Sequence, residues 1–134
     1  MQKLTYFAIF EKTNTGFSVY FPDLPGCITV GNTIESARTN AAEALGLHIW
    51  GMEKDVEILP PAILPPFEDM ETDSFVMPIE IYLDLVKNDM ENRAVKKTLT
   101  ILYWLNEAAE KENVNFSHLL QTALKDYLSI HDKL

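Results

Sequence analysis

Residues 95–101 read VKKTLTI, and this short segment decides how the C-terminal part of the chain has to fold. As an extended strand it has two faces, because alternate side chains point to opposite sides. The apolar face carries Val95, Leu99 and Ile101, and the polar face carries Lys96, Thr98 and Thr100. Two helical patterns follow it, and residues 93–134 contain no second strand pattern. An isolated strand leaves backbone N–H and C=O groups unpaired, and so few residues cannot form a sheet alone.

The missing partner strand predicts a dimer. The segment is expected to pair with the same segment of a second copy, antiparallel about a twofold axis. The alternative is that it joins a sheet formed by the N-terminal part of the chain, which the polar residues 86–94 and the change in charge make less attractive. In the dimer, the apolar face of the ribbon covers the helices of both copies. The predicted dimerisation residues are Val95, Leu99, Ile101, Leu120 and Leu124.

The helices after the strand are predicted from apolar spacing. A first helix is expected at about residues 103–112, and the sequence ENVN at 112–115 ends it. Asn115 can cap a second helix, since its side chain is short and accepts a hydrogen bond from the first turn. The apolar stripe of this second helix repeats without a miss. It consists of Phe116, Leu119, Leu120, Ala123, Leu124, Tyr127 and Leu128.

The polar face of the ribbon predicts DNA binding. A two-stranded ribbon fits the major groove, where lysine and threonine reach base edges. The start of the second helix adds backbone N–H groups and a positive dipole end that suit a phosphate. The predicted DNA-binding residues are therefore Lys96, Lys97, Thr98, Thr100, Asn115 and Ser117. The alternative for the strand residues is a face that simply meets solvent.

Charge divides the chain at the same place. The 134 residues carry a net charge of −9. Residues 1–92 hold five basic and fifteen acidic side chains, a net of −10, whereas residues 93–134 hold six and five, a net of +1. The first segment is thus suited to a basic partner, and the second is free to meet a polyanion.

The N-terminal part is predicted to be a small α+β unit. Residues 3–12, KLTYFAIFEK, are apolar on both faces and suit a central strand. Strands are also predicted at 17–21 and 27–30. A helix is expected next, with Asn32 as its cap, Glu35 in the capping-box position and Gly51 near its end.

The remaining N-terminal residues are predicted to connect the two parts. Residues 58–73 hold four prolines and then an acidic run, so they are expected to cross the surface without regular structure. A fourth strand is predicted at 74–85. Residues 86–94 are polar and unpatterned and are interpreted as a linker. These boundaries give an N-terminal domain at 1–85 and a C-terminal domain at 95–134.

Two resemblances cover nearly the whole chain. The opening YFAIFEK, the corner FPDLPGC at 21–27 and the helix TIESARTNAAEAL resemble the N-terminal domain of HicB antitoxins. The strand, helix, NFS turn and helix of the tail resemble the ribbon-helix-helix fold. The resemblance implies an α+β fold, in which a partial ribonuclease-H-like sheet with one main helix precedes a ribbon-helix-helix dimerisation and DNA-binding domain.

The resemblance also implies a type II toxin–antitoxin role with two partners. One partner is a HicA-type toxin, a small basic mRNA-cleaving protein whose catalytic histidine the antitoxin masks. The other is operator DNA, through which the antitoxin represses its own operon. Candidates for toxin contact lie at the corner and in the acidic run: Phe21, Asp23, Leu24, Pro25, Glu68 and Asp69. The alternatives are a buried hairpin corner and a solubilising linker, respectively.

No enzymatic activity, metal or cofactor is expected. The predicted strands are mostly apolar and carry no converging carboxylates for metal-dependent nuclease chemistry. His48, His118 and His131 share no metal-ligand spacing. Cys27 stands alone and is expected to be a small buried side chain. The start lacks a signal-peptide pattern and no segment suits a membrane span, so a cytoplasmic protein is expected. The alternative function is a stand-alone ribbon-helix-helix repressor whose N-terminal domain senses a small ligand.

Overall fold

A computed structural model describes residues 2–130, except for the side chain of Asp69; His131 lies outside the described residues. The chain forms two compact units, Met1–Ala94 and Val95–Leu134. We call them unit 1 and unit 2 and describe each by itself.

Unit 1 is built on a four-stranded antiparallel sheet. Its strands are β1 (Lys3–Lys12), β2 (Phe17–Tyr20), β3 (Ile28–Gly31) and β4 (Ser74–Tyr82). Their order is β3-β2-β1-β4, so β1 is central, as its two apolar faces predicted, and β3 and β4 are the edges. The predicted strand at 74–85 is three residues too long, because the chain enters a helix after Tyr82.

Helix α1 (Ile34–Lys54) covers one face of this sheet. Its cap is Thr33 rather than the predicted Asn32. The Thr33 hydroxyl accepts from the Ser36 N–H at 3.0 Å, and the Ser36 hydroxyl accepts from the Thr33 N–H at 3.0 Å. Serine therefore takes the capping-box position expected for Glu35. Gly51 does not end the helix, which continues for three further residues.

The core lies between α1 and the sheet. Gly31 on β3 allows close approach, since a Cβ there would lie 2.5 Å from the Ala37 Cα of α1. Two ring pairs close one end of the sheet: Phe10 stacks on Phe75 at 5.0 Å, and Phe17 meets Phe75 edge-on at 6.0 Å. The core side chains are Tyr6, Ala8, Phe10, Val19, Phe21, Leu24, Cys27, Ala37, Ala41, Leu45, Ile49, Ile79, Ile81 and Leu83.

The predicted linker at 86–94 is wrong over most of its length. Residues Leu83–Glu91 form helix α2, whose Leu83 is buried and whose Val86 packs against the core. An ion pair also joins α2 to α1, with the Lys87 Nζ 3.2 Å from a Glu53 carboxylate oxygen. Few apolar side chains of this helix face inward, so its period was too weak to see among polar neighbours.

Unit 2 contains two helices, α3 (Tyr103–Lys111) and α4 (Phe116–Leu128). Both lie where the apolar spacing predicted them, and the Asn115 side chain accepts from the His118 N–H at 3.0 Å as the predicted cap. Residues 93–102 have no regular structure in the single chain, and the sheet of the described chain contains only β1 to β4. No residue between 95 and 130 is buried. Within residues 2–130, no helix has the length and hydropathy of a membrane span.

Candidate partner-binding and DNA-binding surfaces

Unit 2 exposes the side chains that its fold would be expected to bury. Val95 is 88% exposed, Leu99 56% and Ile101 45%, and Leu124 on α4 is 47% exposed. Leu120 is half-buried. These are the five predicted dimerisation residues. Isolated large apolar side chains are normal on a protein surface, but a two-helix unit in which no residue between 95 and 130 is buried lacks a core of its own.

The exposed apolar surface of unit 2 is larger than this set. The aromatic side chains Tyr103 and Trp104 begin α3 and are 79% and 66% exposed. Within residues 95–130, the other large apolar side chains that are exposed are Leu102, Leu105, Phe116, Leu119, Tyr127, Leu128 and Ile130. A folded unit with this much uncovered apolar surface is typical of a protein that buries it against another chain.

The predicted DNA-binding residues all lie on the surface of unit 2. Lys96, Lys97, Thr98 and Thr100 are exposed along the irregular segment before α3. Asn115 and Ser117 lie at the start of α4, which is in a different part of the unit's sequence. The Asn115 side-chain oxygen is already used in capping α4, so its amide nitrogen and the first N–H groups of the helix remain the donors for a phosphate.

The corner at 21–27 is a tight turn that buries Phe21, Leu24 and Cys27. The Phe21 N–H donates to the Cys27 carbonyl at 3.2 Å, and the Leu24 N–H donates to the Phe21 carbonyl at 3.0 Å. Phe21 and Leu24 are only 2% and 1% exposed. For these two candidates for toxin contact, the structure shows the alternative of a buried corner, so their side chains are not available to a partner. Pro25 is exposed.

Asp23 has a structural role at this corner. Its carboxylate accepts from the Ile63 N–H at 2.9 Å, and the Tyr6 hydroxyl donates to the Pro60 carbonyl at 2.5 Å. These two hydrogen bonds hold the proline-rich segment against the corner and against β1. Burial, and then the negative charge of Asp23, raise the pKa of the Tyr6 phenol.

Acidic side chains gather beside the sheet face that α1 leaves open. Glu11 of β1 and Glu71 line a cleft together with Tyr20 of β2. Burial raises the pKa of the Tyr20 phenol first, and the nearby Glu11 and Glu71 carboxylates raise it further. Glu68 is exposed, whereas the side chain of Asp69 is not described. This arrangement suits a basic partner but carries no specific chemistry.

The described side chains form no group that could hold a metal ion. No three His, Cys, Asp or Glu side chains among those that the structure describes are placed to share one. Cys27 is 3% exposed, and burial raises the pKa of its thiol to about 11, so it is a poor nucleophile at neutral pH. His48 is half-buried on α1.

Two exposed side chains of β3 were missed by the sequence analysis. Ile28 and Val30 are 70% and 66% exposed on an edge strand. Their alternation in CITV was visible in the sequence, but it is equally typical of a strand whose apolar face is buried.

The architecture, an α+β chain with a four-stranded antiparallel sheet and four helices in the described residues, matches that of solved antitoxin structures. A chain of "Toxin-Antitoxin complex from Streptococcus pneumoniae" is 26% identical with a TM-score of 0.57, covering 94% of this chain and 99% of that one. The "Antitoxin HicB3 crystal structure" is 28% identical with a TM-score of 0.51, covering 92% and 97%. A protein of Haemophilus phage HP1, described as an uncharacterized 14.9 kDa protein in the rep-hol intergenic region, is 32% identical over 121 residues, 90% of this chain and 79% of that protein.

The sequence profile of the family described as "HicB_like antitoxin of bacterial toxin-antitoxin system" matches residues 6–124. The chain therefore belongs to the HicB-like antitoxin family.

Proposed function

We propose that this protein neutralises a small basic HicA-type mRNA-cleaving toxin through unit 1 and represses its own operon through unit 2. In this proposal it works by binding alone, in the cytoplasm, without catalysis. The main support for this proposal is that unit 2 buries none of its described residues, whereas unit 1 has a hydrophobic core. Unit 1 can fold as a binding domain by itself, whereas unit 2 needs a second chain.

The proposed dimer uses the segment 95–101 as a ribbon. Two copies pair antiparallel, so that each supplies the backbone partners the other lacks. The helices of both chains then bury the side chains of Val95, Leu99 and Ile101. Leu120 and Leu124 belong to the same core. This is the ribbon-helix-helix arrangement. Its support is the exposure of these side chains and the absence of other strand partners in the described chain.

The proposed DNA interface is the opposite face of that ribbon. Lys96, Thr98 and Thr100 enter the major groove, and Asn115 and Ser117 hold a phosphate at the start of α4. Alternation places Lys97 on the other face of the ribbon, so in this proposal it contributes positive charge rather than a base contact. A gel-shift titration with the promoter of the chain's own operon tests this. Lys96→Ala/Thr100→Ala should weaken binding by ~1–3 kcal/mol for each substituted side chain that reads a base. The control Lys12→Ala/Thr15→Ala makes the same chemical change on unit 1 and should leave binding unchanged. Equal affinity of both variants contradicts the ribbon interface.

The proposed toxin interface lies on unit 1. Its support is the charge of −10 over residues 1–92, the family membership, and the toxin–antitoxin complex in which the Streptococcus pneumoniae neighbour was solved. The test identifies a small basic protein encoded beside this chain and co-expresses the two. The full chain and residues 1–94 should both restore growth, and residues 95–134 should not. Rescue by residues 95–134 alone reverses the assignment, and no rescue by any of them favours a stand-alone repressor.

A further inference from the structure

The two edges of the unit 1 sheet are protected very differently. Strand β4 is one edge, and it carries Pro78 in its middle and Glu80, which is ion-paired with Lys3 at 3.0 Å. Proline and charge are the usual means by which proteins keep an edge strand from pairing with another chain. The other edge, β3, reads ITVG and has neither proline nor charge. One edge is thus closed to further strands, and the other is open.

The backbone of β3 offers hydrogen-bonding groups on its outer side. The Phe21 N–H donates to the Cys27 carbonyl, so residue 27 faces β2. Since backbone direction alternates along an antiparallel strand, Thr29 and Gly31 also face β2. Ile28 and Val30 then direct their N–H and C=O groups away from it. The Asn40 amide confirms this direction, because it donates to the Val30 carbonyl at 2.8 Å from α1.

The side chains beside this edge match what an added strand would need on each of its faces. On one face, Ile28 and Val30 are 70% and 66% exposed, and Tyr20 is the cross-strand neighbour of Ile28. On the other face is a groove of about 650 Å³. The groove is lined in part by Thr29, Asn40, Glu43, Leu47 and Asp89.

The charge of these surroundings favours a basic strand. The groove is lined by two carboxylates, Glu43 and Asp89, and one cation, Arg93, so its charged lining remains net negative. On the opposite face, Glu11 and Glu71 flank Tyr20. A second copy of this chain fits less well. Antiparallel pairing of two β3 strands about Thr29 would set each Ile28 N–H against a Val30 carbonyl already bound by Asn40. It would also bring together two units of the same strong negative charge.

We propose that β3 is the docking edge for an extended, basic strand of the toxin, which continues the sheet of unit 1 by backbone hydrogen bonds to the Ile28 N–H and C=O and the Val30 N–H and leaves the Val30 carbonyl to Asn40. This rests on the proposed antitoxin function. Backbone pairing supplies the affinity for the incoming strand. Ile28, Val30 and the groove determine the specificity for its side chains.

Amide hydrogen exchange tests the backbone part directly. The full-length protein is measured by NMR, free and bound to a catalytically inactive form of the small basic protein encoded beside it. The Ile28 and Val30 amides should exchange fast in the free protein and at least ~10-fold more slowly in the complex. The Thr29 and Gly31 amides, which face β2, should be slow in both. Unchanged exchange at Ile28 and Val30 in a formed complex overturns the proposal, as does protection that appears in the free protein as its concentration rises.

Substitution tests the side-chain part. Ile28→Lys/Val30→Lys places two positive charges on exposed positions of the edge and should weaken toxin binding at least ~10-fold by calorimetry. Val56→Lys/Ile58→Lys, at side chains that are 88% and 92% exposed after α1, adds the same two charges elsewhere on unit 1; it is the matched control and should bind like the wild type. The far-ultraviolet circular dichroism and the operator affinity of both variants should be unchanged. Wild-type affinity of the double variant overturns the docking edge and leaves the antitoxin function intact, whereas a wild-type protein that does not bind the toxin refutes both.

Discussion

The dimer proposed for unit 2 predicts that Leu99→Glu separates the two copies. Leu99 lies in the middle of the segment 95–101 and is 56% exposed in the single chain. In the ribbon its side chain meets the helices of both copies. A glutamate there would leave a carboxylate in the new core and place a like charge near its twofold mate.

The size of the effect follows from the exposed part of the side chain. Full burial of a leucine contributes ~1.5–3 kcal/mol, so covering the 56% that is exposed contributes ~0.8–1.7 kcal/mol per copy and ~1.7–3.4 kcal/mol per dimer. Since ~1.4 kcal/mol is a tenfold change, the dimer dissociation constant should rise ~15- to 250-fold from the missing burial alone. The buried carboxylates add to this, so the estimate is a minimum.

Sedimentation equilibrium over a dilution series measures the dissociation constant. Leu85→Glu is the control, because Leu85 is 51% exposed but lies on α2 of unit 1. We expect the control to dimerise like the wild type. Operator affinity should fall with the dimer in Leu99→Glu, since one copy supplies only half of the ribbon. Toxin binding should persist, because unit 1 keeps its own core.

Two results would refute the reasoning. One is a Leu99→Glu protein that remains dimeric at the same concentrations as the control. The other is loss of the dimer to the same extent in both variants, which would show that any added negative charge separates the copies.

Three further predictions concern the stability and reactivity of the chain. Asn115→Ala removes the α4 cap and should lower the free energy of unfolding of the dimer by ~1 kcal/mol in a urea titration, with full stability counting against the cap. Gly31→Ala should destabilise unit 1 by ~1–3 kcal/mol, because the added Cβ would clash with the Ala37 backbone. Gly51→Ala should instead stabilise α1, because its added Cβ has no atom within 4 Å. Equal melting temperatures of the two variants would contradict the close packing at Gly31. Burial raises the pKa of the Cys27 thiol from 9.0 to about 11, so the folded state holds the thiol proton more tightly than the unfolded state does. Alkylation of Cys27 at pH 8 should therefore be slow until the protein unfolds, and the free energy of unfolding should fall as the pH rises from 9 toward 11. Rapid labelling of the native protein in mass spectrometry would contradict the burial of this thiol.

The sequence did not predict which apolar residues in and after the corner at 21–27 are buried. Phe21, Leu24, Ile28 and Val30 are close in the chain and equally apolar, yet the first two are in the core and the last two are on the surface. The pattern of a short strand gives its two faces but does not say which face another element will cover. That depends on α1, which packs on only one side of the sheet.

What the sequence determined by itself is local. Short apolar or alternating runs placed the four strands, apolar spacing placed α3 and α4, and charge counting separated an acidic segment from a nearly neutral one. These features depend on neighbours within one or two turns, so they can be read from the residues. The lack of a second strand pattern after residue 93 is another such local feature, since it can be read from the sequence alone.

What only the tertiary structure decided depends on contacts between distant residues. It showed that 83–91 is a helix packed on α1, because Leu83 and Val86 gain burial that a polar pattern conceals. It assigned Asp23 to fastening the segment at Ile63, forty residues away. It also left β3 as an open edge while β4 carries proline and charge. Sheet order is a long-range property, since any of several strand orders satisfies the same local preferences, and it is the order β3-β2-β1-β4 that exposes Ile28 and Val30.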